Sequence, residues 1–206
     1  MIIMQFIRLQ SRLVFVVVMV TLVVFTSCHK DDDYFLSESL FVEDPYAPGL
    51  PIYSEWGYNT FGAYIDRSPF VSNHTDVPVN IYVTTDTLHM ILRGTLNDLP
   101  ATLTLSIQGY DPASHLALNV LDSTLINLKD PGQSATLKVG NTTTHLTIIE
   151  GELFFKKVQR LYVDEEATRT IMSGLFQLKT FINNEPTAIS SGRFDLGVGY
   201  SNFFNF

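Results

Sequence analysis

The clearest strand pattern in the sequence is Ala101-Thr102-Leu103-Thr104-Leu105-Ser106-Ile107. Apolar and polar residues alternate through it, and this is the period of a β-strand, whose successive side chains point to opposite faces. Leu103, Leu105 and Ile107 fall on one face, and the threonines and the serine fall on the other. The stretch therefore predicts a strand with one buried face and one face in water.

Similar alternations recur along the chain and are separated by short clusters of turn-forming residues. They predict further strands at residues 59–65, 79–84, 88–95, 116–121, 124–128, 135–139, 144–149, 153–163, 170–181 and 188–198. Turn compositions lie between them, for example at residues 66–69, 97–100, 130–132 and 183–186. A helical stripe is suggested only weakly, at residues 112–118. The pattern predicts an all-β domain over residues 53–206, an antiparallel β-sandwich of about ten strands.

An outer-membrane barrel is the alternative architecture, because the sequence closes on a run of aromatic residues. The lipid-facing side of each barrel strand has to stay free of charge over about ten residues. Lys156, Lys157 and Arg160 place charge on both faces of one predicted strand. The sequence therefore favours the sandwich.

Residues 1–27 have the organisation of a secretory signal peptide. Arg8 and Arg12 precede an apolar run at residues 13–25, broken by one threonine, and the small residues Thr26 and Ser27 follow it. A permanent transmembrane helix needs about 18 to 20 apolar residues, so this run is too short to span a bilayer. The segment predicts export.

Cys28 follows this segment and is the only cysteine in the chain. A single thiol excludes an intramolecular disulfide and a thiolate-rich metal site. Residues 24–28, Val-Phe-Thr-Ser-Cys, resemble the bacterial lipobox, in which the cysteine is acylated and becomes the first residue of the mature protein. The resemblance implies a lipid anchor at Cys28. Several acyl chains hold a protein on a membrane almost permanently, because each buried CH₂ group contributes about 0.8 kcal/mol.

Lys30, Asp31 and Asp32 come directly after the predicted acylation site. A lysine followed by acids at this position resembles the export signal of Bacteroidetes lipoproteins, which directs them to the outer face of the outer membrane. The alternatives are a charged spacer without signal function and a protein that faces the periplasm. Residues 28–52 are acidic and proline-rich without a regular period, and predict a disordered tether between anchor and domain.

The charge of the chain limits its partners. Residues 1–27 contain two arginines and no acid, so residues 28–206 carry 11 lysines and arginines against 21 acids, a formal charge of −10. A surface of this sign repels the phosphates of nucleic acids and anionic lipids. We therefore expect no nucleic-acid binding. The predicted acylation site and export signal indicate attachment through lipid to the cell outer membrane.

Two strand motifs lie at opposite ends of the predicted domain, at residues 58–66 with 69–71 and at residues 173–176 with 189–196. The first resembles the opening strand, and the second the closing hairpin, of a group of small Bacteroidetes lipoproteins of unknown function. The resemblance implies an all-β, membrane-anchored envelope protein and brings no activity, cofactor or catalytic residue with it. Alternation places Phe176, Phe194 and Leu196 on an inner face and points Arg193 and Asp195 outward, towards cross-strand partners.

Gly192 lies within that closing hairpin, in the sequence Ser191-Gly192-Arg193-Phe194-Asp195. A glycine inside a strand commonly marks a β-bulge or a close approach of another chain segment. We therefore expect Gly192 to relieve crowding or to mark a bulge.

Residues that could carry catalysis or bind a metal form no recognisable constellation. His74-Thr75-Asp76 is the nearest approach to a metal site, and its composition is explained by a turn. No Gly-x-Ser-x-Gly sequence occurs, and the two carboxylates of a glycosidase, about 5 to 9.5 Å apart, have no sequence signature. The sequence predicts no catalytic residue, no metal and no cofactor, and favours a non-catalytic protein.

Trp56 and Tyr58 are the candidate ligand contacts. Sugar-binding modules stack sugar rings on exposed tryptophan and tyrosine, and Trp56 is the only tryptophan in the chain. The alternative is that both rings pack at the edge of the core. Three hypotheses follow: a surface lipoprotein that binds a glycan or a protein, an envelope hydrolase acting on glycans through an unrecognised carboxylate pair, and an accessory subunit of an outer-membrane complex.

Overall fold

The computed structural model describes residues 39–72 and 77–206, and these residues form an almost purely β structure. The described part contains twelve strands and one 3₁₀ helix, His115–Leu121. The strands are β1 (Thr60–Ile65), β2 (Ser68–Ser72), β3 (Val79–Thr84), β4 (Thr87–Leu96), β5 (Leu99–Gln108), β6 (Thr124–Asn127), β7 (Ser134–Val139), β8 (Thr142–Leu146), β9 (Glu150–Val163), β10 (Glu166–Ile182), β11 (Glu185–Val198) and β12 (Phe203–Asn205).

All twelve strands belong to one hydrogen-bonded sheet. Ten of them follow the order β6-β9-β10-β11-β1-β2-β4-β5-β7-β8, and β3 pairs with β4 on one side and with β12 on the other. The pairs are antiparallel except for β3 with β12, which is parallel. The predicted all-β, antiparallel fold is confirmed. In place of the two stacked sheets expected of a sandwich, the structure has a single sheet that curls into a half-barrel.

The core lies inside the curl and follows the alternation read from the sequence. Leu103, Leu105 and Ile107 of β5 are completely buried, and the intervening residues face the other way. Phe155 and Phe194, from the opposite half, meet edge to face with ring centroids 5.7 Å apart. Each fully buried side chain of this size contributes about 1.5 to 3 kcal/mol, so the curl is held mainly by apolar burial.

Four tight turns join strands that are consecutive in the sequence and adjacent in the sheet. In each of them both central residues have positive φ, the conformation of a type I′ turn, whose twist matches that of the paired strands. The pairs are Thr85-Asp86, Asn97-Asp98, Asp164-Glu165 and Asn183-Asn184. The turns predicted at residues 97–100 and 183–186 are among them.

The strand predicted at residues 116–121 is wrong. This segment lies in the 3₁₀ helix His115–Leu121, which buries His115, Leu118 and Leu121. These residues are three apart, which is the repeat of a 3₁₀ helix, so the apolar pattern has a period of three instead of two. The short strands β2 and β12 are additional to those predicted.

The last part of the predicted tether, residues 39–52, is ordered and lies on the sheet. Glu43 and Pro51 form a β-bridge, and the amide of Ile52 donates to the carbonyl of Val42 at 2.7 Å. Leu50 is completely buried between this segment and the sheet. The buried Leu50, the backbone hydrogen bonds and a contact between Arg193 of β11 and Asp44 fix a segment whose composition is typical of disorder. We call residues 39–59 the strap.

No helix in the described ranges is both long and apolar enough to cross a bilayer.

Candidate functional site

Several predicted site residues lie outside the described residues. They are Cys28, the predicted acylation site, and Lys30, Asp31 and Asp32, the predicted export signal. The turn predicted at His74 to Asp76 also lies outside them. Lipidation, export and the signal peptide at residues 1–27 therefore stay predictions.

The strap is clamped to the sheet by Asp195 of β11. This carboxylate is 1% exposed, although aspartate is almost never fully buried without partners. One oxygen, Oδ1, accepts from the amide of Gly57 at 2.8 Å and from the hydroxyl of Ser173 at 2.9 Å. The other, Oδ2, accepts from the amides of Trp56 at 3.2 Å and Tyr58 at 3.1 Å, and from the hydroxyl of Ser54. Five donors thus compensate the burial of the charge.

Arg193 makes a second clamp, one row away on the same strand. Its guanidinium is 2.5 Å from the Asp44 carboxylate of the strap, and each side chain is only about 15% exposed. The same Nη1 also approaches the carbonyl of Pro51 at 3.5 Å. The amide of Tyr46 and then Arg193 lower the pKa of Asp44, which keeps this carboxylate charged.

Arg193 and Asp195 point away from the core, as expected, but the face on which they lie is covered. Both side chains do lie on the face opposite Phe194 and Leu196, which are buried in the core. The strap covers that face, so Asp195 is buried; four of its five donors belong to the strap, and the fifth, Ser173, is its cross-strand neighbour on β10. The alternation of side chains predicts that this face is exposed to solvent. It is buried because the strap, a segment distant in the sequence, lies on it.

Trp56 and Tyr58, the predicted ligand contacts, are neighbours on the strap with different exposure. The Trp56 side chain is 72% exposed, whereas Tyr58 is half-buried. The indole borders a small cleft over Ile171 and Gly197. Because Asp195 holds the amides of residues 56–58, Trp56 is an exposed ring on a rigidly held backbone.

Polar side chains surround the strap next to Trp56. Lys157 lies 3.7 Å from the carboxylate of Glu55, and the Gln159 side-chain amide donates to the Glu55 carbonyl at 3.4 Å. The Tyr53 hydroxyl donates to Glu55 at 3.0 Å, and burial, followed by this hydrogen bond, raises the pKa of Tyr53. Glu55, the residue before Trp56, is therefore held to β9 and to Tyr53 by polar contacts.

A groove lies on the same outer face of β9, β10 and β11, next to the strap. It consists of two adjoining depressions of about 480 and 490 Å³, which share Glu152 and Gln177 in their lining. We call this the outer groove. The outer groove could not be predicted from the sequence, because its residues come together only through the register of β6, β9, β10 and β11.

The histidines and acids of the described residues form no metal site. Within those ranges, no group of three or more His, Cys, Asp or Glu residues is placed to hold a metal ion. His89 lies between the hydroxyls of Thr84 at 2.9 Å and Ser106 at 2.8 Å. His115 is buried with its ring edge against Tyr200, at a centroid distance of 4.4 Å.

Comparison with protein-family models, with curated proteins and with solved structures finds no match to this chain.

Proposed function

We propose that the protein is a lipid-anchored, non-catalytic binding module of the bacterial cell envelope, attached to the outer membrane and facing the cell surface. The observation that carries the binding role is the exposed indole of Trp56 on the clamped strap. Tryptophan is enriched among the residues that dominate binding energy. A contact residue whose backbone is already fixed loses less conformational entropy when a ligand binds, which favours affinity.

The anchor is proposed from the residues before the strap. Cys28 follows an export signal and resembles the acylated cysteine of lipoproteins, and ten residues separate it from Ser39. A fully extended chain of that length spans at most about 40 Å. Acylation of Cys28 would thus tether the domain to the membrane through this segment.

A glycan-acting hydrolase is the alternative, but neither Asp195 nor Glu150 has the properties of a catalytic acid. Asp195 is enclosed by five donors and inaccessible to a substrate. Glu150 lies 2.5 Å from Lys179, and its hydrogen bond to that lysine lowers its pKa, whereas a general acid needs a raised one. A binding role requires no such pair.

The anchor is tested by Cys28→Ala in cells fed an alkyne fatty acid. We expect the variant to lose all labelling and to leave the membrane fraction, since the chain has no other thiol. The matched control replaces Lys30, Asp31 and Asp32 with alanine, which should keep labelling and lose cleavage by protease added to intact cells. Full labelling of Cys28→Ala would contradict the lipid anchor.

The binding role is tested by comparing Trp56→Ala with Tyr46→Ala on intact cells, after cross-linking and capture. Tyr46 is an exposed aromatic residue of the same strap, so it controls for a general loss of aromatic surface. We expect a defined ligand to be captured by the wild type and by Tyr46→Ala, and lost in Trp56→Ala. Equal capture by all three proteins would contradict the role of Trp56, and release of new reducing ends from a captured glycan would favour the hydrolase.

A further inference from the structure

The shape and the lining of the outer groove favour one class of ligand. It crosses four neighbouring strands, β6, β9, β10 and β11, beside a β-bulge in β11. Two residues of β11 lie opposite the single residue Gln177 of β10 there, and Ser191 has a φ of +54°. A bulge bends its strand and increases the local twist, so this face is less flat than an ordinary sheet.

One row of the outer groove is apolar. Leu125 pairs with Phe154, and Phe154 pairs with Leu175, so the three side chains lie side by side across β6, β9 and β10. Leu125 is 60% exposed and Leu175 is 40% exposed. At a strand spacing of about 4.8 Å the row is roughly 10 Å long, about the length of two sugar rings.

The next row is polar and offers both donors and acceptors. Glu152 pairs directly with Gln177, and Glu150 pairs with Lys179 in the row beyond. The Glu150 carboxylate is held by Lys179 at 2.5 Å, and Lys129 also helps to lower its pKa. The charged residues in the lining of the whole outer groove are two acids, Glu150 and Glu152, and two bases, Lys179 and Arg193, so the formal charges of the groove cancel.

The absence of a net charge decides between ligand classes. An acidic or basic ligand gains little from a site whose charges cancel, whereas an uncharged ligand rich in hydroxyls can use carboxylate, amide and ammonium groups together. Sugar rings also have an apolar face of C–H groups, which fits the row of Leu125, Phe154 and Leu175. Arg193 closes the apolar row and is already engaged by Asp44.

We propose that the outer groove binds a neutral oligosaccharide, with two sugar rings lying on Phe154 and Leu175 and their hydroxyls hydrogen-bonded to Glu152 and Gln177. The proposal rests on the binding role proposed above and names its ligand class. It depends on other residues than Trp56, so the two can fail separately.

The test is calorimetric titration of the full chain, purified in detergent, with defined oligosaccharides of two to six sugars. The panel contains neutral β-glucan, mannan and xylan fragments, with oligogalacturonate and chitosan oligomers as acidic and basic counterparts. We expect at least one neutral member to bind, and its affinity to exceed that of either charged counterpart at least tenfold. Failure of every neutral member to bind, or preference for a charged one, would overturn the proposal.

Variants of the two rows localise the binding. Glu152→Gln and Leu175→Ala should each weaken the neutral oligosaccharide about tenfold, because each removes a contact of about 1.4 kcal/mol. The matched controls are Glu166→Gln and Leu99→Ala, exposed residues of the same types outside the groove, which should leave the affinity unchanged. All four positions are on the surface, so folding should be nearly unaffected, as circular dichroism can verify.

The outcomes separate the groove from the strap. Loss of binding in Glu152→Gln and Leu175→Ala supports the outer groove, whatever the effect of Trp56→Ala. Binding that survives both groove variants and is lost in Trp56→Ala overturns the groove proposal and leaves the binding role intact.

Discussion

Replacing Asp195 with alanine should be among the most damaging single substitutions in the domain. The carboxylate is buried and accepts hydrogen bonds from the amides of residues 56–58 and from the hydroxyls of Ser54 and Ser173. Alanine removes all five acceptor contacts and leaves their donors in place. The strap then loses its attachment to β11 at the position that supports Trp56.

The expected loss in the free energy of unfolding depends on the donors that water cannot reach once the carboxylate is removed. The amide of Gly57 and the hydroxyl of Ser173 are buried, and an unsatisfied buried donor costs about 1–3 kcal/mol. The three other donors are partly buried and can recover part of their bonding from water. We expect Asp195→Ala to lower the free energy of unfolding by about 3–5 kcal/mol. Asp195→Asn should cost less, because one amide oxygen remains as an acceptor.

Urea unfolding followed by tryptophan fluorescence is the assay, because the only tryptophan, Trp56, lies on the clamped segment. Ser54→Ala is the control, since it removes one donor and leaves the carboxylate with four. It should cost about 1 kcal/mol. Hydrogen exchange at the amides of residues 56–58 should accelerate in Asp195→Ala in the native state. An Asp195→Ala protein no less stable than Ser54→Ala, with unchanged exchange at those amides, would refute the clamp.

Three further substitutions test other parts of the fold. Gly192→Ala should destabilise by about 1–3 kcal/mol in urea unfolding, because a Cβ there would lie 2.3 Å from the carbonyl oxygen of Phe176. The neighbouring Ser191→Gly should be neutral or stabilising by up to about 1 kcal/mol, since Ser191 has positive φ; marked destabilisation would contradict the bulge geometry. Burial lowers the pKa of His115 below 6.5. The folded protein therefore binds fewer protons than the unfolded chain, and its stability should fall as the pH drops below 6.5. His115→Phe should flatten that dependence in unfolding measured between pH 7.5 and 5, and an unchanged slope would contradict it.

The strands were predictable because their side chains alternate and their turns have the right composition. The alternation of β5 predicts Leu103, Leu105 and Ile107 in the core, and all three are completely buried. The 3₁₀ helix was mistaken for a strand because its buried residues repeat every three positions. Local periodicity alone is a poor guide for such a short element.

The candidate site was predictable only in part, because it depends on contacts between distant parts of the sequence. Trp56 was a candidate from its type and position, and it is exposed. The clamp joins Asp195 to residues more than 130 positions earlier in the chain, a pairing that no local pattern contains. The same holds for the outer groove, whose rows are set by strand register.

The most direct test of the account is an NMR titration of the isotope-labelled full chain in detergent micelles with the tightest-binding neutral oligosaccharide. We expect chemical-shift changes concentrated in the outer groove, at the amides of β9 and β10 around Glu152 and Gln177 and at the side-chain amide of Gln177. Signals of β4 and β5, on the other half of the curled sheet, should stay in place. Shift changes confined to β4 and β5, or none at saturating oligosaccharide, would contradict the assignment of this face as the ligand surface.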